Sequence, residues 1–265
     1  MQSLTLVKIG GNVIDQPAAL SAFLSSYARL RGPKVLVHGG GKIASTLGSR
    51  LGVTPRMADG RRITDEETLK VVTMVYAGLV NKDIVSRLQA EGVNALGLTG
   101  ADGNIIPAEK RPVKEIDYGF AGDIQAGSIG AETLASFLES GLAPVIAPIT
   151  HNGKAQLLNT NADTIAATVA EALSRRYDVT LVYCFEKKGV LADPEDDDSV
   201  ILSINPASYR ELKEKGIVSK GMIPKLDNAF TALKGGVKRV HICRAADLEA
   251  IMQGNASLST RLEPA

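Results

Sequence analysis

Short apolar runs alternate with amphipathic segments along almost the whole chain, and this alternation restricts the fold more than any other feature of the sequence. The apolar runs have the length of buried strands, and the segments between them show the 3.6-residue apolar period of helices. We predict strands over 4–9, 34–38, 93–99, 143–147, 179–183 and 238–243. We predict helices over 17–30, 42–51, 65–91, 130–140, 161–176, 205–215, 222–235 and 246–252. Such an order is typical of an α/β fold, in which helices cover both faces of a mostly parallel sheet.

Two segments interrupt the alternation. VTPRMADGRRIT at 53–64 contains the turn signal Asp59-Gly60, and GNIIPAEKRPVKEIDYGF at 103–120 follows the turn signal Asp102-Gly103. Both are predicted to be β-hairpins at the rim of the sheet, where they would form walls of a binding site.

The composition excludes several classes of function. The 265 residues are 45% hydrophobic, enough for a large core, and 30 basic against 29 acidic residues give a formal charge of +1. A net charge this close to zero gives no overall positive potential that would indicate binding of nucleic acid or of an anionic membrane. Cys184 and Cys243 lie in apolar runs and are predicted to be reduced core residues. The chain shows neither a secretory signal nor a membrane span, so we expect a cytoplasmic protein.

A lysine lies inside the first apolar run. LVKIGGN, residues 6–12, places Lys8 in a strand that is predicted to be buried, immediately before Gly10 and Gly11. A buried ammonium group is costly without a negative partner. Because ligands of open α/β sheets collect beyond the carboxyl ends of strands, the stretch indicates an anion at this strand end. A second run, VLVHGGGK, places three glycines after the next strand, where a backbone could approach the same anion closely.

Two known phosphate-binding motifs were compared with these glycine runs. No G-x-x-x-x-G-K-[ST] pattern occurs, which excludes a P-loop. GGGKIA at 39–44 matches the dinucleotide pattern G-x-G-x-x-[GA] after a strand. The acid that should end the next strand would be Asp59, which lies in a predicted hairpin turn. That context argues against a dinucleotide site, and the glycine pattern alone keeps an NAD-dependent oxidoreductase open as an alternative.

Two further motifs carry polar groups at predicted helix starts. LLNTNADT, 157–164, brings Asn159, Asn161 and Asp163 to the start of a helix, and capping explains only one of the three. GMIPK places Lys225 in a first helical turn, where the helix dipole disfavours a cation. Lys8 and Lys225 are thus two cations at separate positions where anions are expected.

The motifs VKIGGN, VHGGGK, DGRRIT, LLNTNAD and GMIPK, in this order, resemble those of the amino acid kinase family, and the resemblance covers nearly the whole chain. It implies a three-layer αβα sandwich with an open, mainly parallel sheet of about eight strands. It also implies an N-terminal lobe, 1–176, for acylglutamate binding and dimerisation, and a C-terminal lobe, 177–265, for ATP. The soft boundary is predicted near Arg175-Arg176.

The resemblance also assigns roles to individual residues. It identifies Lys8 and Lys225 as the family's transition-state lysines and Asp163 as the carboxylate that holds both. The positions that match substrate-binding residues are Gly40, Gly41, Arg62 and Asn159. Of these, Arg62 matches the residue that binds the α-carboxylate of the substrate. The positions that match nucleotide-binding residues are Lys8, Gly10, Gly11, Glu186, Gly189 and Lys225. Glu186 departs from the family pattern, which typically has Asp there.

The implied reaction is ATP-dependent phosphorylation of the side-chain carboxylate of N-acetyl-L-glutamate in arginine biosynthesis, or of N-succinyl-L-glutamate as the alternative. Mg²⁺ would be held mainly by phosphates and water, without a protein metal site. The acidic stretch 193–200 is predicted to be a solvated loop, and His38 is predicted to make a local hydrogen bond beside the glycine run. Other amino acid kinases and a catalytically silent sensor are the remaining alternatives. We expect a homodimer without arginine feedback, since the relatives inhibited by arginine carry an additional N-terminal helix.

Overall fold

The computed structural model describes residues 1–218 and 221–264, and its centre is an eight-stranded sheet. The strands are β1 Gln2–Ile9, β2 Lys34–His38, β3 Arg56–Ala58, β4 Arg61–Ile63, β5 Ala95–Leu98, β6 Glu109–Lys110, β7 Gly122–Asp123, β8 Ala143–Ile146, β9 Ile149–His151, β10 Leu157–Asn159, β11 Tyr177–Phe185, β12 Ser203–Ile204, β13 Arg239–Arg244 and β14 Ser259–Leu262. The helices are α1 Gly11–Ile14, α2 Pro17–Ala28, α3 Gly41–Arg50, α4 Glu66–Thr73, α5 Asn81–Ala90, α6 Ala131–Glu139, α7 Ala162–Leu173, α8 Pro206–Glu214, α9 Ile223–Lys234 and α10 Leu248–Met252.

The sheet has the strand order β12-β14-β13-β11-β1-β2-β8-β5, and all of its pairs are parallel except β13 with β14. One apolar cluster packs α6, α7, α8 and α9 against one face, and a second packs α1–α5 and α10 against the other. This arrangement confirms the predicted three-layer αβα sandwich with a mainly parallel, eight-stranded sheet. All six predicted strands belong to the sheet.

Strand β1 lies in the middle of the sheet between β11 and β2, and its residues from Leu4 onwards are buried. Since side chains alternate between the faces of a strand, Lys8 lies on the same face as Leu4 and Leu6, which pack in the cluster that contains α7. The carboxyl ends of β1, β2 and β11 lie side by side. The residues after them, 10–12, 39–41 and 186–189, therefore meet at one edge of the sheet.

Helix α2 ends against a buried lysine. The Lys34 ammonium group donates three hydrogen bonds of 2.7–3.0 Å to backbone carbonyl oxygens, those of Tyr27, Ala28 and Leu30. The last carbonyls of a helix have no partner inside the helix, so this side chain serves as their donor. Lys34 thereby joins the end of α2 to the first residue of β2.

One of the two predicted hairpins is correct and the other is wrong. Strands β3 and β4 pair antiparallel around Asp59 and Gly60, both with positive φ. In the second segment, Asp102 and Gly103 instead lie in a 3-10 turn, in which the Asp102 carboxylate accepts hydrogen bonds from the amide and hydroxyl of Thr99. The pair β6 and β7 is only two residues long, and a long irregular connection joins its strands. The hairpin of β9 and β10, the edge strand β12 and its neighbour β14 were not predicted.

The predicted helix over 65–91 consists of α4 and α5 with a π-helical segment, Met74–Val80, between them. The side chains of Met74 and Leu79 on this segment are exposed. Within residues 1–218 and 221–264, none of the helices is both long enough and apolar enough to cross a membrane.

Candidate active site

Three of the predicted residues meet at the centre of the molecule. The Lys8 ammonium lies 2.7 Å from Oδ1 of Asp163, and the Lys225 ammonium lies 2.9 Å from Oδ2 of the same carboxylate. The side chains of Lys8, Asp163 and Lys225 are 7%, 12% and 25% exposed. One largely buried carboxylate thus orients two cations that are 217 positions apart in the sequence.

Local structure fixes each member of this triad. Lys8 is the last residue but one of the central strand β1. Asp163 lies in the first turn of α7, where the Asn161 side chain caps the helix by accepting hydrogen bonds from the amides of Asp163 and Thr164. Lys225 lies in the first turn of α9, with its ammonium 5.7 Å from the centre of the Phe185 ring. Asn161 is therefore the N-cap, as predicted for one of the three polar residues, and Asp163 is left free to bind cations.

The electrostatics of the triad favour the charged carboxylate. Burial acts to raise the pKa of Asp163, but the ammonium groups of Lys8 and Lys225 outweigh burial and lower this pKa to about 2. Burial lowers the pKa of Lys8, Asp163 opposes that shift, and Lys225 adds to it. Two cations and one anion leave the triad with one positive charge. The triad can therefore stabilise an additional negative group placed beside it.

The second glycine run forms a tight loop next to the triad. Gly40 has φ +144°, and a Cβ atom there would lie 3.2 Å from the ring of Tyr76, so only glycine fits without strain. The buried His38 ring donates from Nδ1 to the Gly39 carbonyl, 2.8 Å away, and its Nε2 accepts from the Asn81 amide at 3.0 Å. Burial lowers the pKa of His38 to about 4, so the ring is neutral near pH 7. The predicted local role of His38 is confirmed.

Residues 39–41 separate two cavities and line both of them, together with Met57 and Arg62. The smaller cavity, about 210 Å³, contains Asn159, whose amide donates to the Thr64 hydroxyl at 3.0 Å. Arg62 donates to the Gly41 carbonyl at 2.9 Å and to the Ser45 hydroxyl at 2.8 Å. The predicted acceptor residues are therefore together, on one side of the glycine loop.

The larger cavity, about 770 Å³, holds the predicted nucleotide residues on the other side of the loop. Those that line it are Lys8, Gly10, Gly11, Glu186 and Lys225. The Asn12 amide donates to the Glu186 carboxylate at 2.6 Å, which joins the ends of β1 and β11. The two lysines of the triad thus line the larger cavity, and Asn161 and Ala162, directly before Asp163, line the smaller one. Two adjacent cavities with cations beside them can hold a donor and an acceptor of a negatively charged group.

A sequence profile of the amino acid kinase family matches residues 3–244. The chain belongs to the amino acid kinase family. Among its relatives, the acetylglutamate kinase of Cytophaga hutchinsonii is 54% identical over 263 residues, which cover 99% of each chain. The acetylglutamate kinase of Methanopyrus kandleri is 40% identical over 259 residues, covering 96% of this chain and 99% of that protein.

Solved structures at lower identity support the fold alone. The N-acetylglutamate synthase of Neisseria gonorrhoeae, in complex with coenzyme A and N-acetyl-glutamate, superposes with a TM-score of 0.82 at 22% identity. The match covers 98% of this chain and 59% of that longer protein. The carbamate kinase of Giardia lamblia superposes with a TM-score of 0.70 at 12% identity, over 100% of this chain and 99% of that one.

One predicted site residue of this amino acid kinase lies apart from both cavities. Gly189 is buried against β14, and a Cβ atom there would lie 2.5 Å from the hydroxyl of Thr260. The structure thus gives Gly189 a packing role, because only a glycine allows this close approach.

The acidic stretch 193–200 is an exposed loop held by ion pairs with the turn that follows β11. Lys187 pairs with Asp197 at 2.7 Å, and Lys188 pairs with Asp198. Within the described part of the chain, no group of three or more His, Cys, Asp or Glu side chains is placed to hold a metal ion. Two of the five acids of the loop, Asp197 and Asp198, are therefore paired with lysines.

Sequence reasoning missed several residues that line the cavities. Phe185 and Asn12 line the larger cavity, and Arg61 and Arg111 line the smaller one. Arg61 directly precedes the predicted Arg62 in DGRRIT, so the doubled arginine was a signal that could have identified it. Arg111 lies in a segment that was predicted as a regular hairpin, so its approach to the cavity depends on the irregular connection between β6 and β7.

Proposed function

We propose that this protein transfers the γ-phosphoryl group of ATP to the γ-carboxylate of N-acetyl-L-glutamate, giving an acyl phosphate, in arginine biosynthesis. The observation that carries the proposal is the triad of Lys8, Asp163 and Lys225, whose two lysines line the larger cavity while Asn161 and Ala162, directly before Asp163, line the smaller one. The acetylglutamate kinases that match nearly the whole chain support the same activity.

The chemistry needs cations and positioning more than proton transfer. A side-chain carboxylate has an unperturbed pKa of about 4.3, so the acceptor is already ionised at neutral pH and no general base is required. The barrier comes from bringing this carboxylate towards a negatively charged phosphoryl group. Lys8 would neutralise the group in transfer, Lys225 would offset charge on the leaving oxygen, and Asp163 would keep both ammonium groups in place.

Each of the two substrates is assigned to one of the two cavities. The acceptor would lie in the smaller cavity, with its α-carboxylate on Arg62 and its amide portion near Asn159. ATP would lie in the larger cavity, with its phosphates against the backbone of Gly10 and Gly11. We accordingly propose the lobes 1–176 for the acceptor and 177–265 for the nucleotide, although β1 and β2 also contribute to the nucleotide side.

The donor set of the larger cavity fits a nucleotide that carries its own Mg²⁺. It offers ammonium and amide donors for phosphates, and Glu186 is its one lining carboxylate among the described residues. Mg²⁺ keeps most of its water ligands and binds the phosphates, so it needs no further protein carboxylate. When bound, Mg²⁺ would supply further neutralisation of the phosphate charge.

The proposal is tested by measuring ADP release from ATP with N-acetyl-L-glutamate and by trapping the acyl phosphate with hydroxylamine. We expect ADP and hydroxamate in equal amounts. Melting temperatures with ATP and with NAD separate a kinase from an oxidoreductase, because a ligand stabilises the protein that binds it. Stabilisation by NAD alone, or ATP binding without ADP release on any acylglutamate, would refute the proposed reaction.

We also propose that the protein is a cytoplasmic homodimer. The large apolar side chains of Met74 and Leu79, 56% and 55% exposed on one π-helical segment, form a surface that a second copy would cover. Light scattering would measure the mass in solution, and a mass of one chain would contradict the dimer.

A further inference from the structure

Asn81 is a buried amide that contacts the residue directly before the glycine loop. It is the first residue of α5 and is only 1% exposed. Its Nδ2 atom lies 2.9 Å from the Val145 carbonyl oxygen and 3.0 Å from Nε2 of His38. Its Oδ1 atom lies 3.1 Å from the Lys82 ammonium nitrogen. A Cβ atom on Gly97 would lie 2.1 Å from this Oδ1, so the glycine inside β5 makes room for the amide. Three partners therefore hold the Asn81 side chain in one orientation.

The partners of Asn81 determine which nitrogen of His38 carries a proton. A carbonyl oxygen only accepts and an ammonium group only donates, so the NH₂ group of Asn81 faces Val145 and its oxygen faces Lys82. The same NH₂ group donates to His38, so Nε2 of His38 is the unprotonated nitrogen. Because the buried ring is neutral near pH 7, its one proton is on Nδ1, 2.8 Å from the Gly39 carbonyl oxygen. Asn81 thus makes His38 a donor towards the glycine loop.

The hydrogen bond from His38 holds one peptide group of the glycine loop. In the other tautomer the Nδ1 lone pair would face the Gly39 carbonyl oxygen, and the peptide would have to turn away. The peptide between Gly39 and Gly40 is trans, so its N–H points away from the carbonyl that His38 binds. In the part of the chain that the structure describes, this Gly40 amide has no hydrogen-bond partner, and Gly40 lines both cavities. It is therefore a backbone donor available to an anionic ligand.

The π-helical segment before Asn81 supports the same loop. This segment, Met74–Val80, ends directly before Asn81. A Cβ atom on Gly40 would lie 3.2 Å from the ring of Tyr76 and 3.3 Å from the side chain of Val80, and both residues are buried. Such π-helical turns are rare and frequently occur at functional sites. Apolar contacts from this segment therefore restrict Gly40, and the polar contact from Asn81 restricts the residue before the loop.

We propose that Asn81 is a positioning residue for phosphoryl transfer. It fixes the tautomer of His38, and His38 in turn fixes the Gly39–Gly40 peptide so that the Gly40 amide is directed at the substrates. This inference rests on the proposed phosphoryl transfer. Asn81 lines neither cavity, so it acts on the reaction only through His38.

The first experiment measures the protonation of His38 by NMR of protein labelled at the histidine nitrogen atoms. The sequence contains three histidines, and a His38→Gln variant identifies the signals of His38. We expect a neutral ring with its proton on Nδ1 in the wild type. Asn81→Ala should remove this single tautomer, and Asn81→Asp, which keeps the size of the side chain but only accepts, should place a proton on Nε2. A wild-type ring protonated on Nε2, or an Nε2 that stays unprotonated in both variants, would overturn the inference.

The second experiment measures kcat and KM in a double-mutant cycle. Asn81→Ala should lower kcat at least about tenfold and change KM for ATP by less than about threefold, because the misdirected amide is a donor to the transition state. His38→Ala should lower kcat by a similar factor. Adding Asn81→Ala to His38→Ala should then lower kcat by less than about threefold, since the two residues act in series. Losses that multiply in the double variant would overturn the inference.

Asn205→Ala is the matched control for loss of stability. Asn205 caps α8 by accepting from two backbone amides, and it lines neither cavity. This variant should have a lower melting temperature with kcat within about twofold of the wild type, because it loses only a helix cap. A wild-type protein that releases no ADP with any acylglutamate would instead refute the proposed function. The tautomer of His38 is measured without turnover, so the two failures are distinguishable.

Discussion

Replacing Asp163 by asparagine tests the arrangement on which the proposed chemistry depends. The substitution keeps the size of the side chain and removes its charge. Lys8 and Lys225, 2.7 and 2.9 Å from the two carboxylate oxygens, would then share one neutral oxygen acceptor. Lys8, only 7% exposed, would be left as a buried ammonium beside another cation, and its pKa would fall further.

The expected loss of turnover can be bounded from these contacts. Losing one preorganised donor to a transition-state charge typically lowers kcat by about 10²- to 10³-fold. Asp163 orients two such donors, so we expect kcat for Asp163→Asn to fall by at least about 10²-fold. KM for ATP should change less, because the glycine loops that would contact the phosphates are intact.

The same substitution has a calculable effect on stability. The pKa of Asp163 is about 2 in the folded protein and 3.8 without its partners, so the carboxylate contributes about 2 kcal/mol to the free energy of unfolding. The folded-state pKa is the lower one, so this contribution is present above pH 3.8 and is lost as the pH falls towards 2. The difference between wild type and variant should therefore shrink in acid.

The measurements are initial rates of ADP release and urea unfolding at neutral and acidic pH. Asp83→Asn is the matched control, because it removes an exposed aspartate that pairs with Arg87 on α5. The control should change the free energy of unfolding by less than about 1 kcal/mol and leave kcat unaltered. If Asp163→Asn retained kcat within a factor of about three, the two lysines would not act through this carboxylate and the mechanism would be refuted.

Two further variants and one labelling experiment test other parts of the structure. Gly40→Ala should lower kcat/KM at least about tenfold, because its φ of +144° and the contact with Tyr76 force the loop to move; unchanged kinetics would contradict this. Lys34→Met should lower the free energy of unfolding by about 1–3 kcal/mol with kcat unchanged, since three carbonyls lose their donor; urea unfolding measures it. Cys184 and Cys243, fully buried with sulfur atoms 3.6 Å apart, should react with a thiol reagent only after denaturation.

The fold was largely predictable because its signals are local. Each strand of the central region is an apolar run between amphipathic helices, and the predicted run 4–9 is the buried core of β1. The edge strand β12 and its neighbour β14 escaped prediction because they are two and four residues long, and their pairing depends on tertiary contacts. The second hairpin was wrong because Asp102-Gly103 is also suited to a 3-10 turn, which the Thr99 contacts stabilise here.

From the residues alone, the site was predictable where a residue conflicted with its local surroundings, and the family resemblance added Arg62 and Asn159. Lys8 in an apolar strand and Lys225 at a helix start are both unfavourable in isolation, and the structure shows that Asp163 resolves both conflicts. Arg61 gave no such signal, because an arginine in a polar hairpin is ordinary in sequence. Its surroundings are known only from the folded structure, where burial and the nearby Arg111 lower the pKa of Arg61.

A buried cation needs a negative partner, and for Lys8 and Arg61 this requirement is met in different ways. For Lys8 the protein itself supplies an anion, so the lysine alone does not require a ligand; the requirement comes from the triad, whose two cations exceed its one carboxylate. For Arg61 the nearest carboxylate, that of Asp123, is already paired with Arg111. In both places one positive charge remains after all protein partners are counted, and both places border a cavity. A phosphoryl group would balance the first excess charge, so the position of the transferred group would be set by where the cations of this kinase outnumber its own acids.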